Sequence, residues 1–364
     1  MTRRPTLLTI LLAPIVVAAF GYMVLSRKAP TLTTVTWAGP YGRAQASALF
    51  QPFAQRTGID LRIAQYDGGL EQLRKGAPGW DVIDMELPDA IAACREGLLA
   101  KIDSSSLPVG AHGEPAASDF VPGALGPCWV GSVVYAQMIA YAPHRFDAAP
   151  TALADFFDTA KFPGPRALRS GAKYNLELAL LADGVAPGDV YKVLATPDGV
   201  ARALAKLATI RGQIVWWSRS SEPAAMLADG RAAFATILNG DLADAAAHGN
   251  ALGAIWDRQL YELDVFVIPD ATPKRAMALD FVRFATSAPS LAGVASWVPY
   301  GPARRSALGL VGRNPETGTA MRPLLPTEPA NFATAFAVDD AWWQAHGAEI
   351  APRWAAWKSL PNGK

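Results

Sequence analysis

Apolar and polar positions along this chain follow a recurring strand and helix cadence. Residues 33–37 have strand character, Gly39-Pro40-Tyr41-Gly42 turns the chain, and residues 43–56 set Leu49, Phe50 and Phe53 at helical spacing before Gly58. Residues 59–66 alternate as a second strand, Asp67-Gly68-Gly69 turns again, and residues 70–75 open a short helix. Val82 and Ile83 then predict a short buried strand with Asp84 and Glu86 at its C-terminal end. The helix that follows is opened by Pro88 and stopped by Gly97. Three such units in a row predict a mainly parallel sheet, and small ligands sit in the crevice beyond the strand C-termini of open α/β sheets. Asp84 and Glu86 therefore form an acidic lip at a place of recognition. The competing reading is a pair of solvated loop acids.

Residues 112–127 turn to Gly, Pro and small polar types, which predicts a surface loop. Residues 131–141 are rich in β-formers, and a second α/β pattern follows. It has a turn at 157–165, helices at 176–181 and 201–209, a strand at 214–217, a helix at 224–227 and a strand at 233–238 that runs into Asn239-Gly240. Residues 263–269 form the last convincing strand, and 274–286 the helix after it. Trp342, Trp343, Ile350, Trp354 and Trp357 recur three, four and seven apart, which predicts an amphipathic helix whose aromatics serve a core rather than a ligand platform. No fixed-period repeat is visible.

A chain of 364 residues is too long for one ordinary core and predicts two lobes. With 51% hydrophobic and 18% charged residues the chain is globular. The formal charge of +1 and the lack of a Lys/Arg cluster past the N-terminal segment argue against nucleic acid as a partner. Residues 6–25 are apolar and uncharged, lie behind Arg3-Arg4 and are closed by Ser26-Arg27-Lys28. They are either a secretory signal, cut near Val17-Ala18-Ala19 or Gly21, or an uncleaved membrane anchor. Both readings export the remainder. The two cysteines, Cys94 and Cys128, then form either one structural disulfide or two separate buried thiols.

The four histidines are far apart and lack metal-ligand spacing, and no nucleophile elbow, phosphate loop or dinucleotide fingerprint occurs. No cofactor and no metal are expected. Glu262 and Asp264 could in principle serve an exported hydrolase or lyase by general acid and base work. Recognition suits the residues better. Trp37, Tyr41, Trp216, Trp217, Tyr261 and Tyr300 fall at predicted strand ends or turns near Glu86, Glu262 and Asp264. Aromatic faces attract ammonium groups, and carboxylates bond them strongly, so such a site would hold an amine. Each aromatic alone is equally at home in a core.

These segments resemble a known family. Thr36-Trp37-Ala38-Gly39-Pro40-Tyr41-Gly42, Tyr66-Asp67-Gly68-Gly69-Leu70, Glu96-Gly97-Leu98-Leu99, Leu227-Ala228-Asp229-Gly230, Tyr261-Glu262-Leu263-Asp264 and Pro299-Tyr300-Gly301-Pro302 are similar to the periplasmic solute-binding proteins of ABC importers, in the spermidine/putrescine-binding group. The likeness runs from about residue 31 to 360. It implies a two-lobed type II binding-protein fold with a ligand cleft between the lobes, which close on the solute. Residues 31–138 with 265–308 would form the first lobe, and 139–264 with 309–364 the second. It also implies a monomer in the periplasm that hands its solute to a permease and is not an enzyme.

By the resemblance, ligand contacts carry over to Trp37, Asp264 and Tyr300, and Tyr41, Glu86, Trp217, Asn239 and Glu262 complete the candidate set. The pattern also breaks. Glu86 stands where polyamine binders place a small hydroxyl residue, and Glu262 where they place a tryptophan. Their second-lobe acid pair falls near Ser170-Gly171 and Tyr174, without a carboxylate, and a cleft tryptophan falls at Leu238. A smaller cationic or zwitterionic solute with one amine is the expectation, with Arg169 and Lys173 available to a carboxylate.

Overall fold

The structure is a computed structural model and describes residues 29–77 and 79–360. The predicted export segment lies outside these residues. Among the described residues no helix is long and apolar enough to cross a membrane.

Strands β1 (Thr31–Thr36), β2 (Asp60–Gln65), β3 (Val82–Glu86), β4 (Trp129–Tyr141), β5 (Arg166–Arg169), β6 (Ile214–Trp217), β7 (Phe234–Leu238) and β8 (Gly253–Val267) share one continuous sheet in the order β2-β1-β3-β8-β4-β7-β5-β6. The helices that matter to its faces are α1 (Gly39–Gln45), α2 (Gln51–Thr57), α3 (Leu87–Arg95), α4 (Asn175–Ala182), α5 (Pro197–Ala208), α6 (Glu222–Ala228), α7 (Asn239–Ala247), α8 (Arg275–Ala285), α9 (Ala288–Trp297) and α10 (Asp340–Ser359). β1, β2 and β3 are parallel to one another, as are β5, β6 and β7. The middle of the sheet is different: β4 and β8 are long, antiparallel to each other, and carry the chain between the two parallel halves.

Two main cores form on either side of this crossing. The first gathers Leu32, Ile83, Val133, Phe266, Phe281 and Leu291, and the second Ile139, Leu168, Leu180, Phe234, Leu260 and Trp357. They are the two lobes. Along β4 the change falls between Ala136 and Ile139, and along β8 between Leu260 and Tyr261. Tyr261, Leu263, Val311, Met321 and Leu325 pack on the first-lobe side of the expected limits.

Most predicted elements are present, with instructive exceptions. The predicted strand at 263–269 is the end of β8, which begins at Gly253; its pairing with β4 slips between Gln137 and Ile139, and Arg258 has a positive φ of 57°. That irregularity removes the alternation by which a strand is recognised. The pattern pointed neither to α7, which begins at Asn239, nor to α9. At the first turn, Gly42 is needed because a Cβ there would lie 2.1 Å from the Trp37 carbonyl oxygen, and Gly39 has a φ of 81°. The close turn keeps α1 over the end of β1.

Cys94, on α3, is joined to Cys128, just before β4, in a disulfide that spans a sequence separation of 34. It ties the helix behind Glu86 to the crossing strand. In the chain-entropy model such a loop contributes about 4 kcal/mol. Reduction, or the double change Cys94→Ser with Cys128→Ser, is expected to lower the urea midpoint accordingly; an unchanged midpoint would remove the disulfide from the stability of the first lobe.

Candidate functional site

The C-terminal ends of parallel strands in both lobes point at the middle of the crossing pair. Glu86 at the end of β3 pairs with Asp264 on β8, and Leu238 at the end of β7 pairs with Gln137 on β4. Each lobe therefore presents its strand ends to the same gap. A cavity of about 550 Å³ lies there, lined by Glu86 of the first lobe, Tyr135 and Glu262 of the crossing strands, and Arg169, Lys173, Tyr174 and Leu238 of the second lobe. Trp343 and Trp354 of α10 close one wall.

The first-lobe side is anionic. Asp84 is buried behind Glu86, and its Oδ2 accepts hydrogen bonds from Tyr41 at 2.7 Å and from Gln45. Its Oδ1, and Oδ1 of the buried Asp264, have no partner among the described residues. Burial pushes Asp84 up to about 7, against the pull of Tyr41 and Gln45. Burial also raises Asp264 well above the carboxylate range, helped by the charges of Asp84, Glu86 and Glu262. Glu86 is open to the cleft, and desolvation by the cleft walls, then Glu262 and Asp89, raise it, whereas Lys173 and Arg169 draw it down. Paired lone acids in such a pocket have a strong demand for a cation.

The second-lobe side holds two basic groups with different fates. Lys173 Nζ bonds Asp340 at 2.7 Å and also bonds Glu262 Oε1. Glu262 Oε2 accepts from the Tyr174 hydroxyl, so both of its oxygens are engaged and it is not a free base for hydrolysis. Burial would lower Lys173, but Glu262 and Asp340 outweigh it and the net shift is upward. Burial pushes Asp340 up to about 8. Tyr174 adopts a positive φ of 73° to begin α4, a conformation that costs about 1–3 kcal/mol and that clusters at functional sites. Arg169, at the end of β5, is exposed; its guanidinium lies 5.1 Å from the Tyr174 ring and has no carboxylate partner among the described residues.

The structure brings together some of the sequence-predicted residues and sets others apart. Glu86 and Glu262 line the cavity, and Asp264 is paired with Glu86 on the neighbouring strand without lining it. Trp37 stands edge-on to Tyr66 at 5.0 Å, its buried indole N–H without a partner among the described residues, and Tyr300 packs edge-on to Tyr41 at 5.4 Å. Tyr41 itself is spent on Asp84. Asn239 is buried with its amide committed to the backbone, Oδ1 accepting from Ala136 and Nδ2 donating to Pro299. Trp217 is buried with its indole N–H on Thr236, and supports Arg169 from 5.9 Å without lining the cavity.

Sequence reading assigned the tryptophans of α10 to the core, and Trp357 and Trp354 do pack against Trp216. Trp354 and Trp343 nevertheless reach the cavity, because Trp354 bonds the Ser170 carbonyl and Trp343 bonds Glu177, which hold that face of α10 over the cleft. Asp340 and Tyr135 were also missed. Asp340 lies just before the tryptophan pair, and nothing in its neighbourhood in sequence marks it as a partner of Lys173.

Comparison with known proteins decides the family. The model of the bacterial extracellular solute-binding proteins matches residues 48–319. This chain belongs to that family. It is 37% identical to a gamma-aminobutyric acid-binding protein of Pseudomonas aeruginosa, over 90% of both chains. It is similar to the structure titled Atu4243-GABA receptor, at 29% identity and a TM-score of 0.72, over 92% of this chain and 99% of that one. At the level of fold alone it is similar to a spermidine/putrescine ABC transporter substrate-binding protein of Streptococcus pneumoniae, at 16% identity and a TM-score of 0.72, over 91% of this chain and 100% of that one. The family is extracellular, so the folded part of the chain is exported.

Proposed function

We propose that this protein captures a short amino acid whose ammonium and carboxylate stand at opposite ends, of the γ-aminobutyrate kind, and delivers it to an ABC permease. One observation carries the reading: Glu86 of the first lobe and Arg169 of the second line one cavity, carry opposite charge, and lack salt-bridge partners among the described residues. An ammonium satisfies Glu86, with Asp264 beside it on the neighbouring strand. A carboxylate satisfies the forked guanidinium of Arg169. Lys173, already paired, leaves Arg169 as the carboxylate acceptor.

A solute held at both ends bridges the lobes and favours the closed form by its differential contacts. Gln344 of α10 donates to the Pro88 carbonyl at the start of α3 at 2.5 Å, so the lobes already touch at the mouth. The lobe limits expected from sequence serve this reading with 261–264 and 309–325 moved to the first lobe, in keeping with their packing. The protein acts as a periplasmic monomer, released by a signal or tethered by residues 6–25, and turns nothing over. The relative that binds γ-aminobutyric acid supports the solute class.

The test is titration calorimetry with γ-aminobutyrate, n-butylamine, butyrate and putrescine. A micromolar affinity, about −8 kcal/mol, is expected for γ-aminobutyrate. The amine and the acid alone should each bind at least about 100-fold more weakly, since each leaves one charged wall unpaired. Equal affinity for n-butylamine or putrescine would refute the zwitterion reading.

A further inference from the structure

We propose that Lys173 is a resident ammonium that fills a second amine subsite in the cleft and so confines the protein to solutes with a single amine. The proposal rests on the zwitterion reading for the identity of the solute but not for the existence of the subsite. The surroundings of Lys173 Nζ are those that recognise an alkylammonium: the carboxylates of Glu262 and Asp340 as acceptors and the face of Tyr174 at 5.1 Å. The acceptors are fixed in place. Glu262 and Asp340 are almost fully buried, with side chains 3% and 2% exposed, whereas the Lys173 side chain is 28% exposed.

The pocket also has acceptor capacity left over. Asp340 Oδ2 is buried without a partner among the described residues. Two carboxylates facing one ammonium exceed the need of a structural ion pair, for which one acid suffices. The three groups come from separate parts of the fold: Lys173 from the turn before α4, Glu262 from β8 and Asp340 from the start of α10. Glu86 and Glu262 line the same cavity, so a ligand with two ammonium groups would find an acid at each end if Lys173 were absent. With Lys173 present, the far acids are neutralised and their space is filled. A second ammonium would then be desolvated against a like charge, which specific sites use to reject a competitor.

The experiment compares the wild type with Lys173→Ala and Lys173→Arg. In Lys173→Ala, putrescine is expected to bind at least about tenfold more tightly than it does to the wild type. n-Propylammonium, which replaces the missing side chain, should raise the melting temperature of this variant and leave that of the wild type unchanged. Lys173→Arg, which keeps a cation in place, should continue to reject putrescine. If Lys173→Ala folds only in the presence of n-propylammonium, the rescue itself supports the subsite. A folded Lys173→Ala that gains neither diamine affinity nor alkylammonium stabilisation overturns the proposal, as does a variant that n-propylammonium fails to rescue. γ-Aminobutyrate measured on the wild type separates the two ideas: its failure to bind refutes the solute reading, whereas the n-propylammonium result judges Lys173 alone.

Discussion

Arg169→Ala is expected to raise the Kd for γ-aminobutyrate by about 100-fold or more while leaving the melting temperature within about 1 °C. A hundredfold corresponds to about 2.8 kcal/mol, the upper range for a charge-assisted hydrogen bond whose loss strands a carboxylate in a partly desolvated cleft. The unchanged stability follows from the side chain's exposure and from its lack of a carboxylate partner among the described residues. Its contacts with the rings of Tyr174 and Trp217 contribute orientation more than stability. Arg169→Lys should recover only part of the affinity, because a point charge lacks the planar fork that meets both carboxylate oxygens. The variant should also lose its preference for γ-aminobutyrate over n-butylamine. An affinity within threefold of wild type would remove Arg169 from the site.

Acidification from pH 8 to pH 5.5 is expected to weaken solute binding and to stabilise the empty protein, two trends of opposite sign. Burial holds Asp84 and Glu177 at about 7 and Asp340 at about 8, all above their ordinary carboxylate values, and Asp264 is raised in the same direction. Between the unfolded and folded values the native state binds more protons than the unfolded chain. Stability therefore rises as pH falls through 8 and 7 towards about 4. A melting temperature about 5 °C or more higher at pH 5.5 than at pH 8 is expected by calorimetry.

Binding responds the other way, since protons compete with the ammonium for Glu86. Groups facing Glu86 include Glu262 and Asp89, which raise it, and Lys173 and Arg169, which lower it. For one titrating carboxylate the loss is at most about tenfold per pH unit below its folded value. Glu86→Gln should flatten the affinity profile and leave the stability profile in place. Tighter binding at low pH would contradict the assignment of the ammonium to the first-lobe acids.

The strand and helix cadence was legible because burial on one face of an element imposes a period that local sequence records. Val82, Ile83 and the acids after them could be placed at a strand end from their own neighbourhood, whereas Asp264, expected near the start of a strand at 263–269, lies inside β8. The first half of β8 could not, because its pairing slips against β4 and breaks the alternation. The part played by α10 in the cleft was hidden for a related reason. Its tryptophans have the spacing of core residues, and Trp354 and Trp357 do fill a core, yet Trp343 and Trp354 also wall the cavity. Spacing reports that a face is covered but does not name what covers it.

By itself the sequence determined the two α/β halves and a pair of cysteines suited to an exported protein, and it offered Glu86 and Asp264 as candidate acids. Only the tertiary structure decided which charges are free. Lys173 and Arg169 are four residues apart and looked equally able to take a carboxylate, but Lys173 meets Asp340, 167 residues away, and Glu262, 89 residues away, and is consumed by them. Arg169 meets only aromatic faces and stays available. The reason is physical: periodicity reports whether a side chain is buried along its own element, whereas a charge is neutralised by whatever carboxylate lies within about 4 Å in space.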